Sequence, residues 1–208
     1  MTQWTRGPYA LLQLPKIYSA FQSLLGAHRA RQQIVDSYIC PTPGCSVLDL
    51  GCGAAAMLPY LKNTIYTGID LNPLSIASAS RTEGARATFL VGDVRAAEKL
   101  PPASFDRVMA LGLLHHLGDD EVRQLARIVR DRLAPGGHFV AVDPTLTVEQ
   151  HWIARQLALA DSGRNVRPPQ AYAELVAGSL PGVRTIVRHD LSRVPYSHAI
   201  TVAALARA

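Results

Sequence analysis

Cysteine, lysine and long apolar runs are all scarce in this chain of 208 residues. Its three cysteines, Cys40, Cys45 and Cys52, fit neither an even disulfide framework nor paired CxxC zinc knuckles. The longest apolar run, Val108 to Leu117, has ten residues including two histidines, which is short of the ~20 that a membrane span needs. The chain does not open with a basic region followed by an apolar stretch, so we expect a cytoplasmic protein with no membrane association.

Charge is spread unevenly along the chain. Residues 1–44 carry a net charge of +3, residues 45–143 carry −1, and residues 144–208 carry +3. No consecutive run of lysine or arginine forms a basic stripe, so the sequence does not favour a nucleic-acid partner. With 48% hydrophobic and 18% charged residues, we expect one globular domain with a small appendage. Composition leaves a homodimer open.

Short apolar segments alternate with helical patterns from residue 46 onward. The clearest helix is predicted from Asp119 to Leu133, with Asp119 as its N-cap. Because connections this short force parallel pairing and right-handed crossovers, the pattern predicts an α/β sheet with helices on both faces. The predicted strands are Ser46 to Leu50, Ile65 to Ile69, Thr88 to Val91, Arg107 to Leu111, Gly137 to Val142, Val183 to His189 and His198 to Leu205.

The pattern changes on both sides of this alternating region. Two helical patterns before Gly44 predict an N-terminal helical lid over residues 1–44, followed by a domain over residues 45–208. Within that domain, residues 144–180 are predicted to form a cap with two helices. About eight residues join the last two strands, too few for a crossover helix, so they should pair as an antiparallel hairpin at one sheet edge.

The first predicted strand leads into a glycine turn suited to a nucleoside. Gly51 and Gly53, with a small residue three positions later, fit the GxGxxG/A form between a strand and a predicted helix. Asp70 ends the second strand, where a carboxylate can accept both hydroxyls of a ribose. Asp49 stands directly before the glycines, where it would repel a pyrophosphate, and Asp93 follows the third strand. The three carboxylates therefore favour a cationic ligand.

Five segments of the chain fit one set of family motifs. They are Val47 to Gly53, Gly68-Ile69-Asp70, Gly92-Asp93-Val94, Phe105-Asp106-Arg107-Val108 running on to Leu114-His115-His116-Leu117, and Leu133-Ala134-Pro135-Gly136-Gly137. In these five motifs, the chain resembles the class I S-adenosylmethionine-dependent methyltransferases. The resemblance implies a Rossmann-like, seven-stranded, mostly parallel sheet and S-adenosylmethionine as cofactor. The cofactor contacts that it implies are Asp49, Gly51, Cys52, Gly53, Asp70, Leu71, Asp93, Val94 and Leu111.

Two departures from related motifs narrow the implied activity. Leu111 to His116 stand where relatives that methylate nucleic-acid bases or protein glutamine carry Asn/Asp-Pro-Pro-Tyr/Phe. The His-His-Leu version is similar to methyltransferases of small molecules. Asp143-Pro144 replaces the Asp-Asn pair of the metal-dependent catechol type, so no metal is expected. The resemblance thus implies methyl transfer to an O or N atom of a small-molecule acceptor.

Candidate catalytic and acceptor residues follow from position and chemistry. His116 and His115 lie where a general base could reach the methyl group, with one of the two expected to be structural. Donors and aromatic rings in the cap, the loop before the last strand and the lid suit an anionic or aromatic acceptor, although each could equally be a packing residue. These candidates for binding the acceptor are Tyr18, Arg164, Arg167, Tyr196 and His198.

Two other functions remain open at this stage. A nicotinamide-dependent reductase shares the glycine turn and the ribose carboxylate, although Asp49, Asp93 and the terminal hairpin count against it. A non-catalytic module could retain the nucleotide pocket and act through contacts of its basic flanks.

Overall fold

The structure is a computed structural model that describes residues 27–84, 86–161 and 163–207. A single seven-stranded sheet forms its centre. In chain order, the strands are Ser46–Leu50 (β1), Ile65–Asp70 (β2), Ala87–Val91 (β3), Phe105–Leu111 (β4), Leu133–Pro144 (β5), Arg184–Arg188 (β6) and His198–Ala204 (β7). Their spatial order is β3-β2-β1-β4-β5-β7-β6. Pairing is parallel from β3 to β5, while β7 runs antiparallel to β5 and β6, which confirms the predicted Rossmann-like sheet and its terminal hairpin.

Five α-helices connect or flank the described strands. They are Ala27–Ile34 (α1), Pro73–Glu83 (α2), Asp119–Arg132 (α3), Trp152–Leu159 (α4) and Pro169–Ala177 (α5). A π-helical turn, Val35–Ile39, continues α1 and ends at Cys40, whose φ is 44°. The earlier part of the predicted lid, with Tyr18, lies outside the described residues. None of the helices in the described ranges has the length and apolar character that crossing a bilayer requires.

Side chains of the central strands alternate between two apolar layers, one on each face of the sheet. Leu48 and Leu50 of β1 belong to the layer that α3 and α5 cover. Val47 belongs to the opposite layer, which contains buried residues of α1 and α2. Because neighbouring residues of a strand point to opposite faces, Asp49 is directed toward the second layer, where it meets Tyr66.

The prediction that the glycine turn opens a helix is wrong. The chain after β1 forms turns and one short 3₁₀ helix, Leu58–Tyr60, before β2 begins. Ala55 adopts a left-handed conformation with φ 58°, which interrupts any helical run from the turn. Pro59 then lacks the N–H that an interior helical position would donate. The backbone beside the glycines is therefore irregular, and it is not a helix N-terminus.

Helix α3 forms as its apolar periodicity predicts, although its start differs by one residue. Gly118, which the structure places at the N-cap, donates its N–H to Glu121 Oε2 over 2.7 Å. Asp119 therefore lies in the first turn rather than at the cap, and its carboxylate is available to pair with Arg167. The buried face of the helix comprises Val122, Leu125, Ala126, Ile128 and Val129.

Strand register brings the carboxyl ends of β1, β2 and β3 to one edge of the sheet. Leu50 pairs with Ile69, and Asp70 pairs with Val91 on the next strand. The residues that follow each strand therefore stand side by side at this edge. Ligands of open parallel sheets bind at such an edge, where strand order reverses, and here it reverses between β1 and β4.

Candidate functional site

A cavity of about 300 Å³ opens at the carboxyl ends of β1, β4 and β5. Its floor includes Asp49 and the glycine turn, together with Leu111 and Gly112 after β4. Helix α1 contributes Arg31 and Ile34 to the same cavity. The site thus occupies the point of strand reversal that the fold offers to a ligand.

The glycine turn gives the cavity a wall made of backbone. Gly51 and Gly53 have φ values of 75° and 54°, a left-handed conformation that favours glycine. A Cβ on Gly51 would approach Leu113 to 3.1 Å, whereas a Cβ on Gly53 would meet nothing within 4 Å. The turn is fixed to β2 because the N–H groups of Gly51 and Cys52 both donate to the carbonyl of Ile69, at 2.8 and 3.0 Å. Gly53 therefore leaves open space beside a rigid backbone.

Asp49 is a buried carboxylate that lines the cavity. Its side chain accepts a hydrogen bond of 2.6 Å from the Tyr66 hydroxyl, and the residue is 3% exposed. Burial raises its pKa from 3.8 to about 7, against the opposing effect of the Tyr66 hydrogen bond, and the nearby charge of Asp70 raises the pKa further. Within the described ranges, no basic side chain forms an ion pair with Asp49. A cationic ligand would supply the missing counter-charge.

Asp70 and Asp93 occupy the next two strand ends, as the sequence predicts. Asp70 Oδ2 accepts the Gly53 N–H and Oδ1 accepts the Asn72 N–H, each at 2.8 Å. Asp93 accepts the N–H and the side chain of Arg95, so its carboxylate is already engaged locally. The hydrogen bond from the Arg95 guanidinium lowers the pKa of Asp93, against the opposing effect of desolvation.

Two apolar residues predicted to contact the cofactor flank these carboxylates. Leu71 is 61% exposed directly after Asp70, and Val94 begins the 3₁₀ helix Val94–Lys99. Val94 packs partly against the core layer beneath α3. Neither side chain lines the cavity, so the contact of each with the cofactor stays a prediction.

His115 is held between two carboxylates and does not line the cavity. Its Nδ1 lies 2.7 Å from Asp143 Oδ1, and its Nε2 lies 3.2 Å from Asp161 Oδ1. Burial disfavours the charged ring, but the hydrogen bonds with Asp143 and Asp161 outweigh it and raise the pKa of His115 to about 9. Because both ring nitrogens are occupied, His115 has no lone pair to offer an acceptor. It fits the structural histidine that the sequence predicts for one of the pair.

His116 also stands away from the cavity, on the exposed side of the same 3₁₀ turn. Its ring centroid lies 4.1 Å from that of His115. Partial desolvation and the neighbouring charge of His115 lower the pKa of His116. Its predicted role as general base therefore finds no support from its position in the structure.

The two arginines predicted to bind the acceptor lie elsewhere on the cap. The buried Arg167 donates to Asp119 at 2.8 Å and to the carbonyls of Leu114, Leu117 and Asn165. It therefore fastens the cap to the loop after β4, in place of the predicted contact with an acceptor. A second cavity, of about 390 Å³, includes Arg167 but none of the strand-end residues. Arg164 is exposed and lines neither cavity.

Tyr196 and His198, which the sequence proposes as acceptor-binding residues, both line the cavity. The Tyr196 hydroxyl donates to Asp161 Oδ2 over 3.0 Å, which joins this wall to the His115 network. The Tyr196 ring packs against His198 with centroids 5.0 Å apart. The loop before β7 thus closes the cavity opposite the glycine turn.

Three residues of the cavity and of the His115 network were not predicted from the sequence. Arg31 lines the cavity from α1, but nothing in its local pattern distinguishes it from a surface arginine. Asp143 is the penultimate residue of the buried strand β5, and its position near a strand end beside the reversal was the available signal. Asp161 follows α4 in the cap and had no local signal. Among the residues that the structure describes, no group of His, Cys, Asp or Glu is arranged to hold a metal ion.

Comparisons with known proteins find similarity to methyltransferases over part of this chain. A family model described as a methyltransferase domain matches residues 47–137, from β1 to the start of β5. An uncharacterized methyltransferase of Synechocystis is 30% identical over 139 residues, which cover 63% of this chain and 64% of that protein. The ubiquinone biosynthesis O-methyltransferase of Vibrio cholerae is 29% identical over 102 residues, 46% of this chain and 40% of its own length. The chain therefore spans less than two thirds of these relatives.

A solved structure shows the same fold over nearly the whole chain. Human N-acetylserotonin methyltransferase, solved in complex with S-adenosylmethionine, aligns with a TM-score of 0.68 and 18% identity. The alignment covers 97% of this chain and 57% of that one. The matched segment contains Asp49, Gly51 and Cys52, which line the cavity, and also Asp70, which does not line it. Residues 47–137 are therefore similar to a methyltransferase domain, and the chain shares its fold with a methyltransferase solved in complex with S-adenosylmethionine.

Proposed function

We propose that this protein transfers a methyl group from S-adenosylmethionine to an O or N atom of a small, anionic or aromatic acceptor. The observation that carries this proposal is Asp49, a buried carboxylate on the cavity whose one hydrogen-bond partner among the described residues is the Tyr66 hydroxyl. S-adenosylmethionine carries an ammonium and a sulfonium group, so it supplies the positive charge that such a site favours.

The residues present fit this cofactor. When bound, S-adenosylmethionine supplies an electrophilic methyl group on a positively charged sulfur. Asp49 attracts and orients the cationic end, and Gly53 leaves room for close approach because it has no side chain. Asp70 keeps acceptor capacity for ribose hydroxyls beyond its two backbone hydrogen bonds. Alignment and exclusion of water supply much of the acceleration in such a displacement.

The opposite wall of the cavity supports a small polar or aromatic acceptor. Tyr196 offers an aromatic face, Arg31 a cationic side chain and His198 a polar ring, all on one cavity. The names of the two comparison enzymes that specify a reaction refer to O-methylation in ubiquinone biosynthesis and to N-acetylserotonin. Both are consistent with a small acceptor for this chain.

A nicotinamide-dependent reductase is a weaker candidate. A dinucleotide site holds its pyrophosphate at the N-terminus of the helix that follows the glycine turn. Here the turn leads to Ala55 in a left-handed conformation and then to a short 3₁₀ helix. The carboxylate of Asp49 on the same cavity would repel the phosphates.

Transfer of a labelled methyl group tests the proposal. The full chain is incubated with S-adenosylmethionine carrying a tritiated methyl group and, separately, with a small-metabolite extract, total RNA and a protein extract. We expect label in the small-metabolite pool. Label in RNA or protein alone would show that the acceptor is a macromolecule and not a small molecule. No label above a no-enzyme blank would favour the non-catalytic module.

Affinity for S-adenosylmethionine should rise with pH between 6 and 8. Asp49 is neutral below its raised pKa of about 7 and charged above it, and only the charged form attracts a cation. We expect the association constant to increase by about tenfold over this interval. Isothermal titration calorimetry at pH 6, 7 and 8 measures it. A flat or falling profile would contradict the role of Asp49.

A further inference from the structure

His198 is the one described histidine on the wall of the cavity. It begins β7 and pairs with Pro144 at the end of β5, so a strand backbone fixes its position. The ring packs against Tyr196, which is itself held by Asp161. His198 therefore presents a positioned imidazole to any molecule that enters the cavity from this side.

The His198 ring has no hydrogen-bond partner among the residues that the structure describes. Its Nδ1 is buried and unpaired. The other buried or half-buried histidines are satisfied: His115 by two carboxylates and His138 by the carbonyls of Tyr38 and Ile39. Buried polar groups are almost always paired, so an unpaired one at a cavity indicates a missing ligand.

The electrostatic surroundings keep this ring neutral. Burial, together with a smaller effect of the neighbouring His189, lowers the pKa of His198 to about 4. No carboxylate in the described part of the chain forms an ion pair with it, in contrast to His115. A neutral imidazole retains one ring nitrogen with a free lone pair, which can accept a hydrogen bond or a proton.

We propose that His198 is the catalytic residue that accepts the proton of a hydroxyl or amine acceptor during methyl transfer. This inference rests on the proposed function. As the bond from the acceptor atom to the methyl carbon forms, the carbon–sulfur bond breaks and its electron pair stays on sulfur. The acceptor's proton passes to the free nitrogen of His198, which later releases it to water. Neither His115, whose nitrogens are occupied, nor His116, outside the cavity, can take this part.

Acylation by diethyl pyrocarbonate, which reacts with unprotonated imidazole nitrogens, tests the state of His198 without any turnover. The full chain is treated at pH 7, and modification of each histidine is followed by peptide mass spectrometry. We expect His198 to react at least tenfold faster than His115, whose two nitrogens lie between carboxylates. Equal rates for the two residues would overturn the assignment of a free, neutral ring.

Methyl transfer to simple probes tests the catalytic role. The probes are phenol, a nitrophenol already ionised at neutral pH, benzylamine and benzoate. We expect His198→Gln to lower kcat/KM about 100-fold for phenol or benzylamine and less than threefold for the nitrophenol, which has no proton to lose. His151→Gln, at the exposed N-cap of α4, is the matched control and should leave both values unchanged.

Each remaining outcome decides between the two proposals. An equal loss for phenol and nitrophenol would make His198 a structural residue. Transfer to benzoate alone, or to none of the probes, with S-adenosylmethionine binding intact, would overturn the assignment of a protic acceptor. If the wild-type chain does not bind S-adenosylmethionine in a calorimeter, the proposed function itself is contradicted. We expect His198→Gln to bind S-adenosylmethionine with an affinity within about threefold of the wild type. Such binding would show that the variant is folded.

Discussion

Replacing Asp49 by asparagine should reduce affinity for S-adenosylmethionine by about 100-fold, because a charged hydrogen-bonding partner of the cation is lost. The same substitution should make the unliganded protein more stable at pH 8, by an amount on the order of 2 kcal/mol. Asparagine keeps an oxygen that can accept the Tyr66 hydroxyl, and it carries no buried charge. Calorimetry measures the affinity, and urea unfolding measures the stability.

The sign of the stability effect follows from the pKa of Asp49. The carboxyl group has an ordinary pKa of 3.8 when unfolded and about 7 in the folded chain, so the folded state disfavours its charge. The resulting destabilisation grows as pH rises from about 4 to 7 and is complete above pH 7. The advantage of Asp49→Asn should therefore shrink at pH 5. Asp120→Asn is the control because its side chain is fully exposed, and it should change neither quantity.

If the Asp49→Asn variant binds S-adenosylmethionine with wild-type affinity, the cofactor does not bind against Asp49 in this cavity. A variant less stable than the wild type at pH 8 would show that Asp49 has another partner. Increased stability together with lost affinity is a common pattern for residues that bind ligands. A buried charge that serves the ligand destabilises the protein while the site is empty.

Replacing His115 by alanine should lower the free energy of unfolding by about 3 kcal/mol at pH 7. The substitution leaves Asp143, which is 2% exposed, without its charged partner, and it releases Asp161 of the cap. Replacing the adjacent His116 by alanine should cost less than about 1 kcal/mol, because that ring is exposed and bonds to neither carboxylate. Urea unfolding of the two variants compares neighbouring residues of the same type.

Alkaline pH provides a second test of the His115 network. The folded pKa of His115, about 9, exceeds its ordinary value of 6.5. Its contribution to stability is therefore complete below pH 6.5 and is lost as pH rises through 9. The difference between the wild type and His115→Ala should narrow accordingly at pH 10. Equal costs for the two alanine variants, or a gap that widens at pH 10, would contradict the charged arrangement.

Local sequence predicted where the strand-end carboxylates and the glycine turn lie in the fold. Asp49, Gly51 and Gly53 stand within five residues, so one strand and one turn carry both the geometry and the charge. Asp70 and Asp93 needed only the additional step that parallel strands end at one edge of the sheet. The parallel pairing of the central strands and the antiparallel terminal hairpin followed from the lengths of the connections. These features depend on contacts between neighbouring elements.

Features that depend on distant side chains were not predictable. His115 and Arg167 look like active-site residues in the sequence, and only the fold brings Asp143, Asp161 and Asp119 to them. The absence of a regular helix after the turn depends on the left-handed Ala55, a position that ordinary propensities do not single out. The roles of paired and unpaired histidines are likewise visible only from their partners, since the residue type is the same.

Titration of the full chain with S-adenosylmethionine in a calorimeter at pH 8, and separately with a nicotinamide dinucleotide, tests the central claim most directly. The carboxylate-lined cavity predicts saturable binding of one S-adenosylmethionine with a dissociation constant below about 1 mM, and no saturable binding of the dinucleotide. Binding of the dinucleotide in place of S-adenosylmethionine, or no binding of either, would contradict the account.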